Sequence, residues 1–335
     1  MKKTITVFKG DGIGPEITDC VLDILKAAGA ELDYEVYNVG EAEWKRNGAL
    51  IPEEAYASFD RNKVLLKSPI TTPIGHGFRS LNVTLRKKYD LYANIRPAKS
   101  STAVETPFHD VDMVIFRENT EGEYVLGSRG VELPGMAVDF KVTTDLGTRR
   151  IARAAFDYAK NNGKTHVAVV TKANIMKKTD GKFTAICHEV AADYPGITVD
   201  DYYIDIMTAN LLKEPLREQF QVVLLPNLYG DIISDLCAGL VGGLGFAPSA
   251  NIGDNTRIYE AVHGSAPDIA GQDKANPSAI LMAFAMMLND LGETEKAARL
   301  NDAILAQVAE GKVVTADIGG TAGTKEFTQA VIARL

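Results

Sequence analysis

The strongest constraint on the fold is a series of short apolar runs that alternate with segments of helical spacing. The runs are Ile5–Phe8, Val64–Leu66, Val111–Phe116, His166–Thr171 and Val222–Leu225. A strand with one solvated face alternates apolar and polar residues, whereas a strand covered on both faces is apolar without alternation. Several of these runs lack alternation, and the first leads through a glycine turn into a helix predicted from about Pro15 to Ala28. The sequence therefore predicts an α/β protein with a largely parallel sheet.

The size and charge of the chain narrow its class. Its 335 residues suggest about two domains. The net charge of −8 disfavours nucleic acid or an anionic membrane as the main partner. The apolar run Ala279–Leu288 is shorter than the roughly 20 residues that span a bilayer, so we expect a buried helix. Three widely spaced cysteines, Cys20, Cys187 and Cys237, and no apolar leader favour a reducing, cytoplasmic location.

Two aspartates, Asp231 and Asp235, stand four residues apart in the segment PNLYGDIISD. On a helix this spacing places them on one face, with roughly 5–6 Å between their Cβ atoms. They are either an acidic helix start, which the helix dipole favours, or part of a divalent cation site. Mg²⁺ and Mn²⁺ prefer carboxylate oxygens, but the pair alone favours the helix-start interpretation.

Polar residues follow four of the predicted strands, and this favours a binding site over an acidic helix start. Arg117 comes after the third run, Lys172 and Asn174 after the fourth, Asp231 after the fifth, and Asp205 after a strand ending near residue 204. In open α/β sheets the ligand crevice lies at the carboxyl ends of the strands. The clusters therefore predict a binding site that includes the aspartates.

The segment Gly10–Pro15, GDGIGP, is similar to a dinucleotide-binding fingerprint but does not satisfy it. The G-x-G-x-x-G pattern requires a glycine where Pro15 stands, and no ribose-binding acid can be placed about 20 residues further on. We therefore expect no Rossmann site there.

Seven segments, in this order, resemble the β-decarboxylating dehydrogenases, the family of isocitrate, isopropylmalate, homoisocitrate and tartrate dehydrogenases. The segments are Gly10–Glu16, Asp90–Pro97, Arg117–Tyr124, Lys172–Met176, Asn227–Asp235, His263–Gly271 and Asp317–Gly320. Each segment alone is a weak signal, but together they cover nearly the whole chain. The resemblance implies a non-Rossmann fold of two domains that share a central sheet.

The resemblance also implies how the chain is divided and assembled. Residues 1–98 and 250–335 would form the large, cofactor-binding domain, and residues 99–249 the small domain with the substrate and metal residues and the dimer interface. A homodimer, or a higher oligomer built from it, would have shared active sites. Lys172 and Asp205 of one subunit would then meet Asp231 and Asp235 of the other.

The residues after Thr71 indicate the substrate. Ser80 and Asn82 match a Ser-x-Asn pair that isocitrate dehydrogenases carry, and both side chains can hydrogen-bond a carboxylate. The resemblance thus implies oxidative decarboxylation of isocitrate in the tricarboxylic acid cycle. The run Arg96–Ser100 resembles homoisocitrate enzymes, so homoisocitrate, 3-isopropylmalate and a regulatory-subunit role stay as alternatives. In some bacterial relatives the serine matching Ser80 is phosphorylated, and a phosphate there would repel a carboxylate.

Three arginines, Arg86, Arg96 and Arg117, would bind the three carboxylates of isocitrate. Guanidinium groups bind carboxylates bidentately, and each charge-assisted hydrogen bond contributes roughly 1.5–3 kcal/mol. A surface ion pair is the more common role of an arginine and contributes little. The position of these three beside the family motifs favours the binding role.

The cofactor is predicted from Asp268 and Ile269, which stand where NADP-dependent isocitrate dehydrogenases carry a Lys-Tyr pair. A carboxylate accepts a hydrogen bond from a ribose 2′-hydroxyl and repels a 2′-phosphate, so we expect NAD. The resemblance assigns further residues to the nicotinamide and to the adenosine half. The nicotinamide residues are Thr71, Thr72 and Asn174, and the adenosine residues are His263, Ala275 and Asn276.

The resemblance implies a metal-assisted mechanism. Mg²⁺ or Mn²⁺ would be held by Asp231 and Asp235 with Asp205 of the partner subunit. As a Lewis acid it would lower the pKa of the substrate's C2 hydroxyl. Lys172 of the partner subunit would help to remove that proton, and Tyr124 would protonate the carbanion that remains after CO₂ leaves.

Overall fold

A computed structural model describes residues 2–71, 80–126 and 129–335. Its strands are β1 Lys3–Phe8, β2 Leu32–Tyr37, β3 Val64–Lys67, β4 Ala93–Lys99, β5 Asp112–Glu118, β6 Val131–Leu133, β7 Met136–Val138, β8 His166–Thr171, β9 Thr198–Tyr203, β10 Val222–Leu225, β11 Pro248–Ile252 and β12 Arg257–Ala261. Its α-helices are α1 Gly14–Ala27, α2 Glu41–Asn47, α3 Glu53–Asn62, α4 Leu81–Lys88, α5 Asp145–Asn161, α6 Thr179–Ala191, α7 Ile204–Asn210, α8 Asn227–Leu240, α9 Ser278–Asp290, α10 Thr294–Glu310 and α11 Thr324–Ile332. The five predicted apolar strands and the two predicted helices are confirmed as β1, β3, β5, β8, β10, α1 and α9, and the strand predicted to end near residue 204 is β9.

Ten of these strands form one sheet in the order β2-β1-β3-β12-β11-β4-β5-β10-β8-β9. Both outer groups of four strands are parallel, whereas β11 and β4 run antiparallel to their neighbours. The largely parallel sheet is therefore confirmed. The antiparallel pairing of β11 with β12 follows from connection length, because the four residues 253–256 between them are too few for a parallel crossover.

Strand β10 shows why the apolar runs do not alternate. All four of its side chains are buried. Val222 and Leu224 pack against α5 and α6, whereas Val223 and Leu225 pack against α7 and α8 on the opposite face. Burying a valine or leucine contributes roughly 1.5–3 kcal/mol, so covering both faces makes this strand a strong part of the core.

Four buried apolar clusters occupy the two halves of the sheet. Two of them join β1, β3 and β12 to α1, α3 and α9–α11. The other two join β5, β8 and β10 to α5–α8, and they include Ala93 and Ala98 of β4. The predicted domain limits near residues 98 and 250 stay a prediction.

Strands β6 and β7 form a separate antiparallel ribbon. Its apolar side chains are exposed, with Val131 at 44%, Leu133 at 47% and Met136 at 53% of their full accessibility. Among the helices of the described residues, none is long and apolar enough to cross a membrane.

Candidate active site

The carboxyl ends of four adjacent parallel strands, β5, β10, β8 and β9, line one edge of the sheet. Arg117 is the penultimate residue of β5, because this strand extends beyond its predicted end. Helix α8 begins at Asn227, directly after β10, and Lys172 follows β8. Asp205 lies in the first turn of α7, which begins where β9 ends. The predicted clusters thus lie along one edge, where ligands bind in sheets of this kind.

Arg117 is buried and holds the start of α8 against the sheet. Its Nε donates to the Asn227 carbonyl at 3.0 Å, and its Nη2 donates to Asn227 Oδ1 at 2.8 Å. Its Nη1 donates to Asp231 Oδ1 at 2.5 Å. The approach requires a glycine at Gly230, because a Cβ there would lie 2.5 Å from Arg117 Cγ.

The two aspartates of α8 are not an acidic helix start. The helix begins at Asn227, so both Asp231 and Asp235 lie beyond its first turn, where the dipole effect fades. Arg96, on β4, donates from Nη1 to Ser234 Oγ at 2.6 Å and to Asp235 Oδ1 at 3.1 Å, and the same atom lies 3.7 Å from Asp231 Oδ1. Arginines on two neighbouring strands therefore offset the repulsion within the acid pair.

Tyr124 completes this group. Its hydroxyl donates to Asp231 Oδ2 at 3.0 Å, and the Arg117 guanidinium carbon lies 5.5 Å from its ring centre. Lys87 docks the turn that carries Tyr124, because its Nζ donates to the carbonyls of Tyr124 and Val125. Burial raises the pKa of Tyr124 and the Asp231 charge raises it further, so the side chain keeps its proton at neutral pH.

Arg86, on α4, adds a third positive charge. Its Nη2 lies 3.9 Å from Oε1 of Glu260. Burial lowers the pKa of Arg117 to about 10, and the Arg86 charge contributes to this. Burial and then the Arg86 charge also lower the pKa of Arg96. Arg96 and Arg117 stay protonated at neutral pH despite these shifts, so a polyanion bound among the three guanidinium groups would be favoured.

Ser80 and Asn82 lie at the start of α4. Ser80 is exposed and is the residue before the first helical turn, where its Oγ accepts from Val83 N at 3.5 Å. This leaves the hydroxyl hydrogen free to donate to an anion. The buried Oδ1 of Asn82 has no hydrogen-bond partner among the residues described here, and the side chain lines a small cavity together with Arg86 and Glu260.

Lys172 and Asp205 form a separate pair, with Lys172 Nζ 2.6 Å from Asp205 Oδ1. The Asp205 side chain is 66% exposed, and the hydrogen bond from Lys172 lowers its pKa. Within residues 2–71, 80–126 and 129–335, no three His, Cys, Asp or Glu side chains lie close enough together to hold a metal ion. Asp205 thus lies with Lys172 and not with Asp231 and Asp235 of the same chain.

Asp180 supports this lysine, and sequence reasoning missed it. The carboxylate is fully buried, with Oδ2 accepting from the Lys172 backbone N–H at 2.8 Å and Oδ1 lying 2.6 Å from Lys141 Nζ. An acid in the first turn of a helix, here α6, is ordinary in a sequence. Only its burial and its ion pair with Lys141, which is distant in sequence, distinguish Asp180 from other acids at helix starts.

The structure describes two of the three residues predicted to bind the nicotinamide, Thr71 and Asn174. Thr71 lies after β3, and its Oγ1 is 2.8 Å from Ser265 Oγ in the loop after β12. Its backbone N–H donates to Asp11 Oδ2 at 2.8 Å. Asn174 is exposed in the turn after β8. Thr72 lies outside the described residues.

His263 presents an unpaired acceptor on the predicted adenosine side. Burial lowers its pKa, so the ring is neutral at neutral pH. Its Nδ1 lies 3.0 Å from the Gly264 carbonyl, and a proton on Nδ1 leaves Nε2 as an acceptor. That Nε2 is buried and has no partner in the described part of the chain. Asp268 is exposed, and Ile269 is half-buried beside it.

Ala275 and Asn276 are buried and already engaged by the protein. The Ala275 carbonyl accepts from Thr324 Oγ1 at 2.7 Å. The Asn276 amide donates to Asp317 Oδ2 at 2.9 Å and accepts from Ser278 N at 3.0 Å, which fixes the start of α9. Their roles toward adenosine stay a prediction.

Comparison with known proteins shows the family to which the chain belongs. A family model described as isocitrate/isopropylmalate dehydrogenase matches residues 4–331. The chain is 46% identical to the mitochondrial isocitrate dehydrogenase [NAD] subunit alpha of Bos taurus, over 99% of this chain and 90% of that protein. It is 49% identical to the mitochondrial isocitrate dehydrogenase [NAD] catalytic subunit 5 of Arabidopsis thaliana, over 98% of this chain and 87% of that protein. The crystal structure of an isocitrate dehydrogenase from Methylococcus capsulatus superposes with a TM-score of 0.94 at 41% identity, covering 99% of this chain and 98% of the other.

Proposed function

Because this chain belongs to the isocitrate/isopropylmalate dehydrogenase family, we propose that it catalyses the NAD-dependent oxidative decarboxylation of isocitrate to 2-oxoglutarate and CO₂. One observation carries the proposal. Arg86, Arg96 and Arg117 converge beside the acids of α8, and their charges lower the pKa of Arg96 and of Arg117 in addition to burial. Isocitrate brings three carboxylates, which would relieve this repulsion through charge-assisted hydrogen bonds.

The acids fit a hard divalent cation. Asp231 and Asp235 have side chains that are 37% and 55% exposed, and a carboxylate has about four lone-pair sites, so both can accept further ligands. We propose Mg²⁺ or Mn²⁺, held by these two residues and by Asp205 of the partner subunit. When bound, the metal supplies Lewis-acid polarisation of the oxygen on C2 of the substrate.

The protein groups would then orient the substrate and move its protons. The arginines hold its carboxylates and fix which face of C2 meets the nicotinamide. Lys172 of the partner subunit would help to remove the proton of the C2 hydroxyl, directly or through water. Tyr124, whose raised pKa keeps its proton in place, donates that proton to the carbon from which CO₂ has left.

The proposed cofactor is NAD, which when bound accepts the hydride from C2. Asp268 is exposed at the loop after β12, where its carboxylate can accept a hydrogen bond from a ribose hydroxyl. A 2′-phosphate at the same place would meet a like charge. The unpaired Nε2 of His263 offers an acceptor for an adenine amine.

The proposed assembly is a homodimer with shared sites. Large apolar side chains are exposed beside three of the predicted site residues: Ile175 at 66%, Ile206 at 49% and Ile232 at 58%. These isoleucines lie next to Asn174, Asp205 and Asp231, and exposed apolar side chains beside polar site residues favour a protein interface. The relatives are named as subunits, so a mixed assembly is the alternative that mass measurement would reveal.

The proposed location is the cytoplasm. All three cysteines are free and buried, which suits a reducing compartment. The Bos taurus and Arabidopsis thaliana relatives are named as mitochondrial proteins, so localisation of a tagged chain decides this point.

A side-by-side assay tests the function. The purified chain is given NAD and Mg²⁺ or Mn²⁺ with isocitrate, homoisocitrate or 3-isopropylmalate, and NADH formation is followed. We expect the highest kcat/KM with isocitrate, by about tenfold or more, because one added methylene in a fitted site changes kcat/KM by roughly 10–200-fold. A higher kcat/KM with homoisocitrate would refute the substrate assignment. Turnover that requires an added partner protein would indicate a regulatory subunit.

A further inference from the structure

The segment Gly10–Pro15 has no role in the proposed function, although it is the most glycine-rich turn near the start of the chain. In the fold it connects β1 to α1. Asp11 is buried, and its carboxylate accepts three backbone N–H groups. The donors are Thr71 at 2.8 Å, Glu41 at 2.9 Å and Ala42 at 3.4 Å.

The backbone of this turn also touches two other loops. Gly10 and Gly12 have φ angles of +67° and +59°, a conformation that favours glycine. A Cβ on Gly10 would lie 2.1 Å from the Pro69 carbonyl oxygen, and a Cβ on Gly12 would lie 1.9 Å from that of Ser265. Ile13 N donates to the same Ser265 oxygen at 2.9 Å. The glycines are therefore required for close backbone contact with both loops.

Both of these loops carry proposed cofactor residues. Thr71 lies in the loop after β3, and Ser265 follows His263 in the loop after β12. Their hydroxyl groups lie 2.8 Å apart, so the two loops also meet directly. We infer that Asp11 is a positioning residue: its carboxylate holds the loop after β3 against the start of α2, and the backbone of the same turn holds the loop after β12 in register with it. The inference rests on the proposed use of NAD. It gives the GDGIGP segment a role in positioning the cofactor loops, in place of the phosphate-binding role of a dinucleotide fingerprint.

The position of Asp11 makes its effect specific to NAD. The arginines of the substrate site lie on α4, β4 and β5, and no hydrogen bond among the described residues joins them to Asp11. A change at Asp11 should therefore alter NAD binding while the affinity for isocitrate stays nearly constant.

The test compares Asp11→Asn and Asp11→Ala with a control, Glu43→Gln. Asparagine removes the charge from all of these hydrogen bonds and replaces one carboxylate oxygen with an NH₂ group. At the Oδ2 position Thr71 N–H would lose its acceptor, and at the Oδ1 position Ala42 N–H would lose its acceptor while Glu41 N–H keeps Oδ2 at 3.1 Å. Glu43 is a buried carboxylate on α2 that bonds Arg46 and Asn47 within the same helix, and its loss disturbs α2 alone. The measurements are KM for NAD, KM for isocitrate, the NADH dissociation constant from fluorescence, and the unfolding temperature.

For Asp11→Asn we expect KM for NAD and the NADH dissociation constant to rise about tenfold, the effect of one lost charge-assisted hydrogen bond, with KM for isocitrate changed by less than about twofold. Glu43→Gln should leave the NAD parameters unchanged. An equal rise in both KM values, or none, would overturn the inference. If Asp11→Ala does not fold, the asparagine variant decides. A wild-type chain that fails to oxidise isocitrate with NAD would refute the proposed function instead, and NADH binding would still decide the role of Asp11.

Discussion

The contact between Arg117 and α8 can be tested by replacing Gly230 with alanine, which adds one methyl group. Alanine at Gly230 would place its Cβ 2.5 Å from Arg117 Cγ and 2.6 Å from Arg117 Cβ. The Arg117 Cβ is fixed by the backbone of β5 and no side-chain rotation moves it away. Helix α8 and β5 must therefore separate, which shifts the guanidinium group from Asn227 and Asp231. Gly239 lies on the same helix and provides the control, because a Cβ there meets no atom within 4 Å.

The two substitutions should have opposite effects on stability. Replacing glycine by alanine in a helix stabilises by up to about 1 kcal/mol, which is the whole effect expected for Gly239→Ala. At Gly230 the same gain is opposed by overpacking, which costs about 1–3 kcal/mol. Displacing Arg117 also removes a charge-assisted contact worth roughly 1.5–3 kcal/mol, so kcat/KM for isocitrate should fall by roughly 10–150-fold.

Steady-state kinetics with isocitrate and urea unfolding measure both effects. Gly230→Ala should lose activity while its unfolding stays cooperative, and Gly239→Ala should keep wild-type activity with equal or higher stability. Equal kinetics in the two variants would refute the placement of Arg117 against Gly230 and the role of that arginine in substrate binding.

Three further predictions follow from the site. Exchanging Asp268→Lys together with Ile269→Tyr should shift the ratio of kcat/KM values from NAD toward NADP, and an unchanged ratio would contradict the cofactor assignment. Tyr124→Phe should lower the rate of the overall reaction much more than the rate at which the keto intermediate is reduced. An equal loss of both rates would exclude the role of Tyr124 as the acid. Burial alone would raise the pKa of Glu260, but the Lys67 ammonium and a neighbouring guanidinium lower it from 4.5 to about 2. Roughly 3 kcal/mol of stability, present above pH 4.5, should therefore be lost as the pH falls toward 2. Urea unfolding should show this slope in the wild type and not in Lys67→Met with Glu260→Gln.

The sequence predicted the elements whose signals are local. The runs that became β8 and β10 have the predicted ends because both faces of these strands are covered, and the apolar segment at residue 279 became α9 for the same reason. The antiparallel pairing of β4 and β11 was missed, because it depends on which strands become neighbours. Apolar runs carry no information about that choice.

The site shows the same limit. Asp231 and Asp235 were identified by their spacing, but only the helix bounds exclude the helix-start interpretation. Arg96 reaches them across the sheet from a segment 135 residues earlier, and Asp180 supports Lys172 from inside the core. Contacts of this kind depend on tertiary packing, so single-chain patterns could not give them. The separation of Asp205 from Asp231 and Asp235 of the same chain was expected only from the family resemblance.

Mixing subunits tests the shared active site most directly. Lys172→Met and Asp231→Asn should each be inactive as pure proteins. In a mixed dimer of the two, one site would combine the intact Lys172 of one subunit with the intact Asp231 of the other, and the second site would carry both defects. With random pairing, half of the dimers are mixed, so co-refolded protein should regain about a quarter of wild-type NAD reduction with isocitrate. Mixed dimers that regain no activity would show that each chain builds its site alone and would contradict the proposed arrangement.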